Sequence, residues 1–493
     1  MRFRRALALL VLALAASPGC AERYFREATT APPPARATLD AWPYREYWTG
    51  VVFNGDKVGF THLTIDAEPG KAGTWHVRSE AALRFRMLAI DKRVNLVSED
   101  WVDKDLALLR FHHRYDIDDN VLEISGDVAD DMFHLETVTR GGRESRATPV
   151  AKTLHPSSVI ALIPLLKGLA VGNRHDYLVF DGETQRISEV TQEVLGYERS
   201  ELFEGPAFRV RTTLQGSHSD TWMNERGLPV LEMAMSGVLI SELEDETRAR
   251  RFLADAALNK KETLLDFSRV RVDKPLQADL DFLRLRLSGI DPGFAVPGDA
   301  RQQCARETTA VLCEVHRSNL PRVNPAAGND AYLGPSTTVT SRQPAIVRLA
   351  REITAYAPTP DHQIDAIVAW IRRNIRAEAV DVFSAADVLE TRRAECQGHS
   401  FLYAALARAT GIPTRIVNGL MYSEAHGGFL FHTWAESLVD AGWVAVDPTF
   451  GQVPADASHI KLVEGESLAD LVPLTELVGQ LRAEVLEFSA APR

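Results

Sequence analysis

The stretch AECQGHSFLYAALARATGIPTRIV, residues 394–417, carries a single cysteine at the start of a helical pattern. Gly411 and Pro413 follow the pattern and supply its stop signal. Its apolar residues recur at helical spacing and form one stripe: Phe401, Leu402, Ala405, Leu406 and Ala409. The stretch therefore predicts a core helix with Cys396 in its first turn.

The first turn of a helix suits a nucleophilic thiol. Free backbone N–H groups and the positive end of the helix dipole favour the thiolate there. The Cys396 amide can also donate a hydrogen bond to a developing oxyanion. A cysteine without a neighbouring base is more often a small buried hydrophobic residue. A nucleophilic role for Cys396 therefore requires a base, such as a histidine, close to it.

A histidine and a carboxylate lie downstream in GGFLFHTWAESLVDAGWVAVDPTF, residues 427–450. This pattern predicts two antiparallel strands joined by a short turn around residues 439–442. With an even number of turn residues, His432 and Asp447 fall on the same face of the strand pair. Asp447 can then accept a hydrogen bond from the imidazole, whose other nitrogen faces Cys396.

Two other histidines compete for the role of base. His399 lies three residues after Cys396, on nearly the same helical face, and His426 sits in a glycine-flanked loop. We favour His432, because only it has a strand-borne carboxylate within reach. His399 either lines the cleft or serves as a cap or packing residue. Trp434 either shields the imidazole and carboxylate from water or fills the core.

The order cysteine, histidine, aspartate in these motifs resembles the transglutaminase-like superfamily. The matching features are the Gly411-Ile412-Pro413 turn with Arg415, the His432-Thr433-Trp434 strand, and Trp443 leading to Asp447-Pro448-Thr449. The resemblance spans residues 340–465 and implies a papain-like α+β core with the catalytic triad Cys396, His432 and Asp447. One departure is that Ala394 and Glu395 precede the cysteine, where many members have a glycine two residues before it.

The resemblance implies acyl transfer through a thioester. Cys396 would attack a peptide or protein amide, and protonated His432 would donate to the leaving amine. Hydrolysis, as in a protease or amidase, and transamidation both stay open, because no lysine-binding feature separates them. The alternative from another class is a catalytically silent scaffold or binding protein of the periplasm that keeps the same fold.

Two core helices are predicted before the cysteine. Pro344 fits the first turn of one, whose apolar residues recur at helical spacing. The other begins in TPDHQIDAIVAWIRRNI, residues 359–375, with Thr359 as N-cap and Pro360 at the first helical position.

The N-terminus predicts export. In MRFRRALALLVLALAASPGC, residues 1–20, three arginines precede an apolar run that is too short to span a bilayer. The small residues that lead to Cys20 resemble the lipidation site of a bacterial lipoprotein, and ordinary signal cleavage is the alternative. We expect the mature protein at the periplasmic face of a bacterial membrane, anchored by lipid at Cys20.

The rest of the chain divides by composition into four segments. A tether rich in Pro and Ala occupies residues 21–44, and short strand-like runs predict a mainly antiparallel β domain over residues 45–245. Within it, Asn54-Gly55 predicts a tight hairpin turn. A mixed connecting region follows over residues 246–335, and the catalytic domain with a C-terminal helix over residues 336–493. The expected fold class is therefore α+β.

The remaining cysteines, Cys304 and Cys313, can form a disulfide in an oxidising compartment. Two independently buried thiols are the alternative. The net charge of −12, with acids and bases mixed along the chain, argues against a nucleic-acid partner.

No motif predicts a metal or a cofactor. Adjacent His112 and His113 point to opposite faces of a strand, and the aspartates after them lack the glycine and distal glutamate of a calcium loop. The expected partners are a peptide or protein substrate and the membrane.

Overall fold

Strands dominate the computed structural model: 51% of the residues that it describes are in strands and 18% in helices. The expected α+β class is therefore wrong, and the protein is mostly β. The structure describes residues 24–490, with gaps at residues 30–33, 54, 88–89, 118–119, 140–141, 215, 235–236, 252–268, 278, 319–331, 379, 381, 441, 467 and 476. The predicted export signal and Cys20 lie outside the described residues.

The first large sheet draws its strands from residues 25–244. Its strands are β1 Phe25–Glu27, β2 Glu46–Phe53, β3 Asp56–Ala67, β4 Thr74–Met87, β5 Ile90–Asp103, β6 Leu108–Ile117, β7 Asn120–Ala129, β8 Met132–Thr139, β9 Gly142–Pro149, β10 Leu154–Pro156, β11 Arg174–Asp181, β12 Arg186–Ser200, β13 Pro206–Leu214, β14 Ser217–Met223, β15 Pro229–Ala234 and β16 Leu239–Glu244. The order runs β10 to β16, then β2 to β9, with β1 on β12.

Neighbouring strands of this first sheet are antiparallel, apart from the parallel pair β10 and β11. The β2–β3 pair is the hairpin that the sequence predicts, with Phe53 opposite Asp56. Gly55 in its turn has a φ of +84°, a conformation that glycine adopts at little cost. Two short helical segments lie between β10 and β11, a 3₁₀ turn at Ser157–Val159 and helix α1 at Ile163–Lys167.

The second large sheet combines two distant parts of the sequence. Its strands are β17 Val270–Val272, β18 Leu280–Ser288, β19 Gln302–Arg306, β20 Ala310–His316, β23 Thr414–Ser423, β24 Gly428–Val439, β25 Gly442–Val446, β26 Ile460–Glu464 and β27 Arg482–Ala490; β21 Arg376–Ala377 and β22 Arg393–Ala394 form a separate parallel pair. The order is β19-β20-β18-β27-β17-β24-β23-β26, with β25 on β24.

Strands β17 to β20 come from the segment that the sequence assigns to a mixed connecting region. In β18, LDFLRLRLS, Leu283, Leu285 and Leu287 are buried while the arginines between them face outward, which is the period-two pattern of a sheet strand. Strands β17 and β18 both pair with the C-terminal strand β27, so this part of the sheet joins segments that are about 200 positions apart in the sequence. The division of the chain into domains stays a prediction.

The described helices of the C-terminal part pack on one another and on the second sheet. They are α2 Pro344–Thr354, α3 Pro360–Asn374, α4 Ala385–Thr391, α5 Cys396–Ala409 and α6 Leu468–Thr475. The predicted N-cap is confirmed, because the Thr359 side chain accepts a hydrogen bond from the His362 amide and Pro360 occupies the first helical position of α3. The sequence predicts a C-terminal helix; in the structure α6 ends at Thr475 and β27 follows.

Helix α5 is the centre of the C-terminal core. It begins at Cys396, so this cysteine lies in the first turn as predicted. Two hydrogen bonds tie it to β24: Ser400 Oγ donates to the Thr433 carbonyl at 3.0 Å, and the Tyr403 and Ser437 hydroxyls lie 2.7 Å apart. Gly398 has no room for a side chain, since an added Cβ would lie 2.5 Å from Val382. These contacts fix the start of α5 against the middle of β24.

Among the residues that the structure describes, no helix is both long enough and apolar enough to cross a membrane.

Strands β19 and β20 place Cys304 directly opposite Cys313, and a disulfide joins them. A chain that begins at residue 24 keeps three of the four cysteines. When it is unfolded without reductant, a maleimide should modify only Cys396; after reduction it should modify all three, as counted by intact mass.

The Cys396→Ala variant is the control for this measurement, because it should show no modification before reduction and two modified cysteines after it. Modification of all three cysteines in the unreduced wild-type protein would contradict the disulfide.

Candidate active site

Cys396 is the first residue of α5, and its free thiol is half-buried. Its amide belongs to the first turn and so has no acceptor within the helix. Cys396 is close enough to His432 to interact with it electrostatically. Helix α5 and strand β24 thus bring the predicted nucleophile and base together.

His432 lies on β24, 8% exposed, with its Nε2 2.9 Å from Asp447 Oδ2. Because carboxylate oxygens only accept hydrogen bonds, Nε2 carries the proton and Nδ1 is left for Cys396. The parity argument is confirmed: Val439 is opposite Gly442 across a two-residue turn, which puts His432 and Asp447 on one face. Asp447 itself follows the last residue of β25.

Asp447 is fully buried, and all its acceptor positions are used. Its Oδ1 accepts from the amides of Thr449 at 2.8 Å and Phe450 at 3.1 Å. Its Oδ2 accepts from His432 Nε2 and from His459 Nε2, the latter at 3.0 Å. Burial opposes the ionised form, but the two histidines outweigh it and hold the pKa of Asp447 well below its usual range.

The charges of the site favour an imidazolium at His432. Burial alone would lower the pKa of this histidine. The interactions of His432 with Asp447 and with Cys396 outweigh burial and raise its pKa to about 10. The imidazolium can therefore stabilise a thiolate at neutral pH and later supply a proton to a leaving group.

His459 is the site residue that the sequence analysis misses. It lies in the loop before β26 with its side chain fully buried, and its Nδ1 is 3.2 Å from Asp456 Oδ1. The sequence offers only a histidine directly before a strand, twelve positions after Asp447, and that signal is weak. Its proximity to Asp447 depends on the pairing of β26 with β23.

The structure places the other predicted residues around this group. His399 is buried, with Nδ1 2.8 Å from the Glu395 carbonyl, and burial lowers its pKa. Trp434 is buried too, its ring centroid 6.4 Å from that of His432. His426 lies in a 3₁₀ turn, with Nδ1 2.9 Å from Ser423 Oγ.

An exposed aromatic ring flanks the reacting pair. Phe450 is 51% exposed, and its ring centroid lies 5.6 Å from that of His432. Large exposed apolar side chains often mark binding surfaces. Phe450 therefore offers an apolar wall beside the His432 imidazole.

In the described part of the chain, one group of possible metal ligands has its ligand atoms close together: His432, Asp447 and His459. One ligand atom from each lies within 4.8 Å of the others. Both histidine nitrogens are at hydrogen-bond distance from Asp447 Oδ2, so N–H···O bonds account for this geometry.

The fold and the site together define a cysteine–histidine–aspartate arrangement of the kind that cysteine-dependent enzymes use. Residues 347–448 match the model of the transglutaminase-like superfamily, and the match contains all three residues. The resemblance noted in the sequence is thus confirmed for the C-terminal part of the chain. No curated protein matches the chain.

Solved structures share parts of the architecture at low similarity. A candidate cysteine protease from Cytophaga hutchinsonii is 18% identical, with 43% of this chain and 86% of that chain covered and a TM-score of 0.30. A β-barrel-like protein of unknown function from Brucella abortus is 8% identical, with 41% and 95% covered and a TM-score of 0.31. A candidate protease from Parabacteroides distasonis is 11% identical, with 79% and 69% covered and a TM-score of 0.20. Likenesses this low carry no argument about mechanism.

The two histidines nearest Cys396 should differ in their effect on its alkylation by iodoacetamide. Because the pKa of His432 is raised to about 10, its imidazolium persists from pH 5 to pH 9 and should keep wild-type labelling faster than that of a free thiol over that range. In His432→Ala the rate should rise about tenfold per pH unit towards the ordinary thiol pKa of about 8.5. His399→Ala should keep the wild-type profile.

Among the described cysteines, Cys304 and Cys313 are joined in the disulfide, so iodoacetamide should label Cys396. The Cys396→Ala variant gives the background rate of labelling. If His399→Ala removed the fast labelling while His432→Ala retained it, the base would be His399.

Proposed function

We propose that the protein is an exported cysteine-dependent enzyme that transfers the acyl group of a peptide or protein amide through a thioester. The observation that carries this proposal is the 2.9 Å contact between His432 Nε2 and Asp447 Oδ2, beside the first residue of α5, Cys396, which interacts electrostatically with His432. The three groups stand in the order that nucleophile, base and orienting carboxylate require.

In the first half of the reaction, the Cys396 thiolate attacks the carbonyl carbon of the amide. The Cys396 amide, at the start of α5, donates to the oxyanion. Imidazolium His432 gives its Nδ1 proton to the leaving nitrogen as the C–N bond breaks, which leaves a thioester on Cys396. Asp447 holds the Nε2 proton throughout and keeps the ring oriented.

In the second half, a nucleophile resolves the thioester. Neutral His432 takes a proton from water or from an amine, which attacks the acyl carbon and releases the thiolate. Water gives hydrolysis and an amine gives transamidation. Phe450 beside the imidazole favours substrates with an apolar group next to the reacting amide.

Acylation can be tested with 4-nitrophenyl acetate, whose activated ester replaces the unknown amide. The wild-type protein should release a burst of one nitrophenol per chain and carry one acetyl group on Cys396, seen by intact mass and peptide mapping. Hydroxylamine should discharge the acetyl group, because a thioester reacts readily with it. A burst that persists in Cys396→Ala would locate the chemistry elsewhere.

N-acetylcysteine serves as the reference thiol in the same assay. If Cys396 reacted no faster than this free thiol, the protein would instead be a catalytically silent scaffold. Adding a primary amine after acylation separates the two enzyme classes, since amide formation indicates transamidation and free acetate indicates hydrolysis.

We further propose that Cys20 anchors the mature protein by lipid at the periplasmic face of a bacterial membrane. The Cys20→Ala variant should then move from the membrane fraction to the soluble periplasmic fraction on cell fractionation. Cys396→Ala, the matched control, should stay in the membrane fraction. A Cys20→Ala protein that remains membrane-bound would show that the anchor lies elsewhere.

A further inference from the structure

We propose that His459 is a positioning residue for the reaction, which makes the working unit of the site four residues. His459 donates the second hydrogen bond to Asp447 Oδ2 and so fixes the carboxylate that orients His432. This inference rests on the proposed function, because it assigns a role within the same site.

Both ring nitrogens of His459 are committed to carboxylates. Nε2 lies 3.0 Å from Asp447 Oδ2, and Nδ1 lies 3.2 Å from Asp456 Oδ1. Asp456 is held in turn by the amide of Ser458 at 2.9 Å and by its hydroxyl at 2.6 Å. The ring therefore cannot rotate without breaking hydrogen bonds in a fully buried place.

The backbone that carries His459 is also fixed, by a residue from the other part of the second sheet. The buried Arg301 guanidinium donates to the carbonyls of His459 at 3.0 Å, Ala455 at 3.3 Å and Asp456. Arg301 directly precedes β19. The strands recruited from residues 270–316 thus hold the loop that supports Asp447.

This arrangement limits the freedom of Asp447 more than a triad alone would. Its Oδ1 is held by two backbone amides, and Oδ2 would otherwise have His432 as its single partner among the described residues. With His459 in place, each oxygen of Asp447 accepts two hydrogen bonds. The orientation of this carboxylate therefore does not depend on His432 alone. Outer partners of this kind commonly change the performance of a functional histidine about 10- to 100-fold in metal sites.

The charged groups around Asp447 define the expected pH effect. His432 and His459 bond to it directly, and Asp456 faces the far side of His459. His399 is close enough to Asp447 to interact with this carboxylate electrostatically. Loss of the His459 donor removes one of the interactions that lower the pKa of Asp447, so Asp447 should take up a proton at a higher pH.

Two conservative variants separate positioning from packing. His459→Gln can place an amide N–H where Nε2 stands, and His459→Asn can reach only the position of Nδ1, towards Asp456. In His459→Asn, Cys396 alkylation at pH 5 should fall about tenfold or more, and its acid limb should move to higher pH. His459→Gln should stay within about threefold of the wild-type rate, since the second donor to Asp447 is kept.

The matched control is His113→Asn in the first sheet. His113 is buried as well, and its Nε2 lies 2.8 Å from Asp100 Oδ1. This variant should lower the melting temperature as His459→Asn does but leave the alkylation profile of Cys396 unchanged. Equal profiles for His459→Asn, His113→Asn and the wild-type protein would reduce His459 to a packing residue and overturn the inference.

A measurement on the wild-type protein keeps the test independent of whether the variants fold. Protein labelled with ¹⁵N-histidine should show a proton on His459 Nε2 by its nitrogen chemical shift. An unprotonated Nε2 would overturn the inference whatever the variants do. Failure of the proposed function looks different, because then the wild-type Cys396 itself would label no faster than N-acetylcysteine.

Discussion

The buried carboxylate of Asp447 is the constraint around which the C-terminal part is arranged. A charge without access to water costs several kcal/mol unless partners compensate it, and this one has four donors: two backbone amides on Oδ1 and two imidazoles on Oδ2. The donors come from β24, from the turn after β25 and from the loop before β26. Each of these segments must therefore be in place before the charge is stable.

The position of the nucleophile follows from the same arrangement. Hydrogen bonds from Ser400 and Tyr403 fix α5 against β24, and Cys396, the first residue of α5, then reaches the free nitrogen of His432. The site combines a helix terminus, which favours an anion, with an imidazolium stabilised by Asp447. A rigid frame of this kind suits chemistry that depends on the placement of a proton.

Local patterns in the sequence predicted much of the site. The start of α5, the capped start of α3 and the turn between β24 and β25 are set by neighbouring residues, so periodicity and parity locate Cys396, His432 and Asp447 in advance. The expected α+β class was wrong because strands far outnumber helices among the described residues. The sequence also assigned β17 to β20 to a connecting region, and their place in the second sheet depends on the pairing of β17 and β18 with the distant strand β27, which local periodicity cannot reveal.

By itself, the sequence determined that Cys396 lies in the first turn of its helix and which strands are adjacent in the hairpins, because those features depend on the pattern of neighbouring residues. Only the tertiary structure decided that His459 completes the hydrogen bonding of Asp447 and that Arg301 holds the loop beneath it. These contacts join residues through sheet pairings between distant segments. The physical reason is that a buried charge selects its partners by proximity in the folded chain, and separation along the sequence carries no information about that proximity.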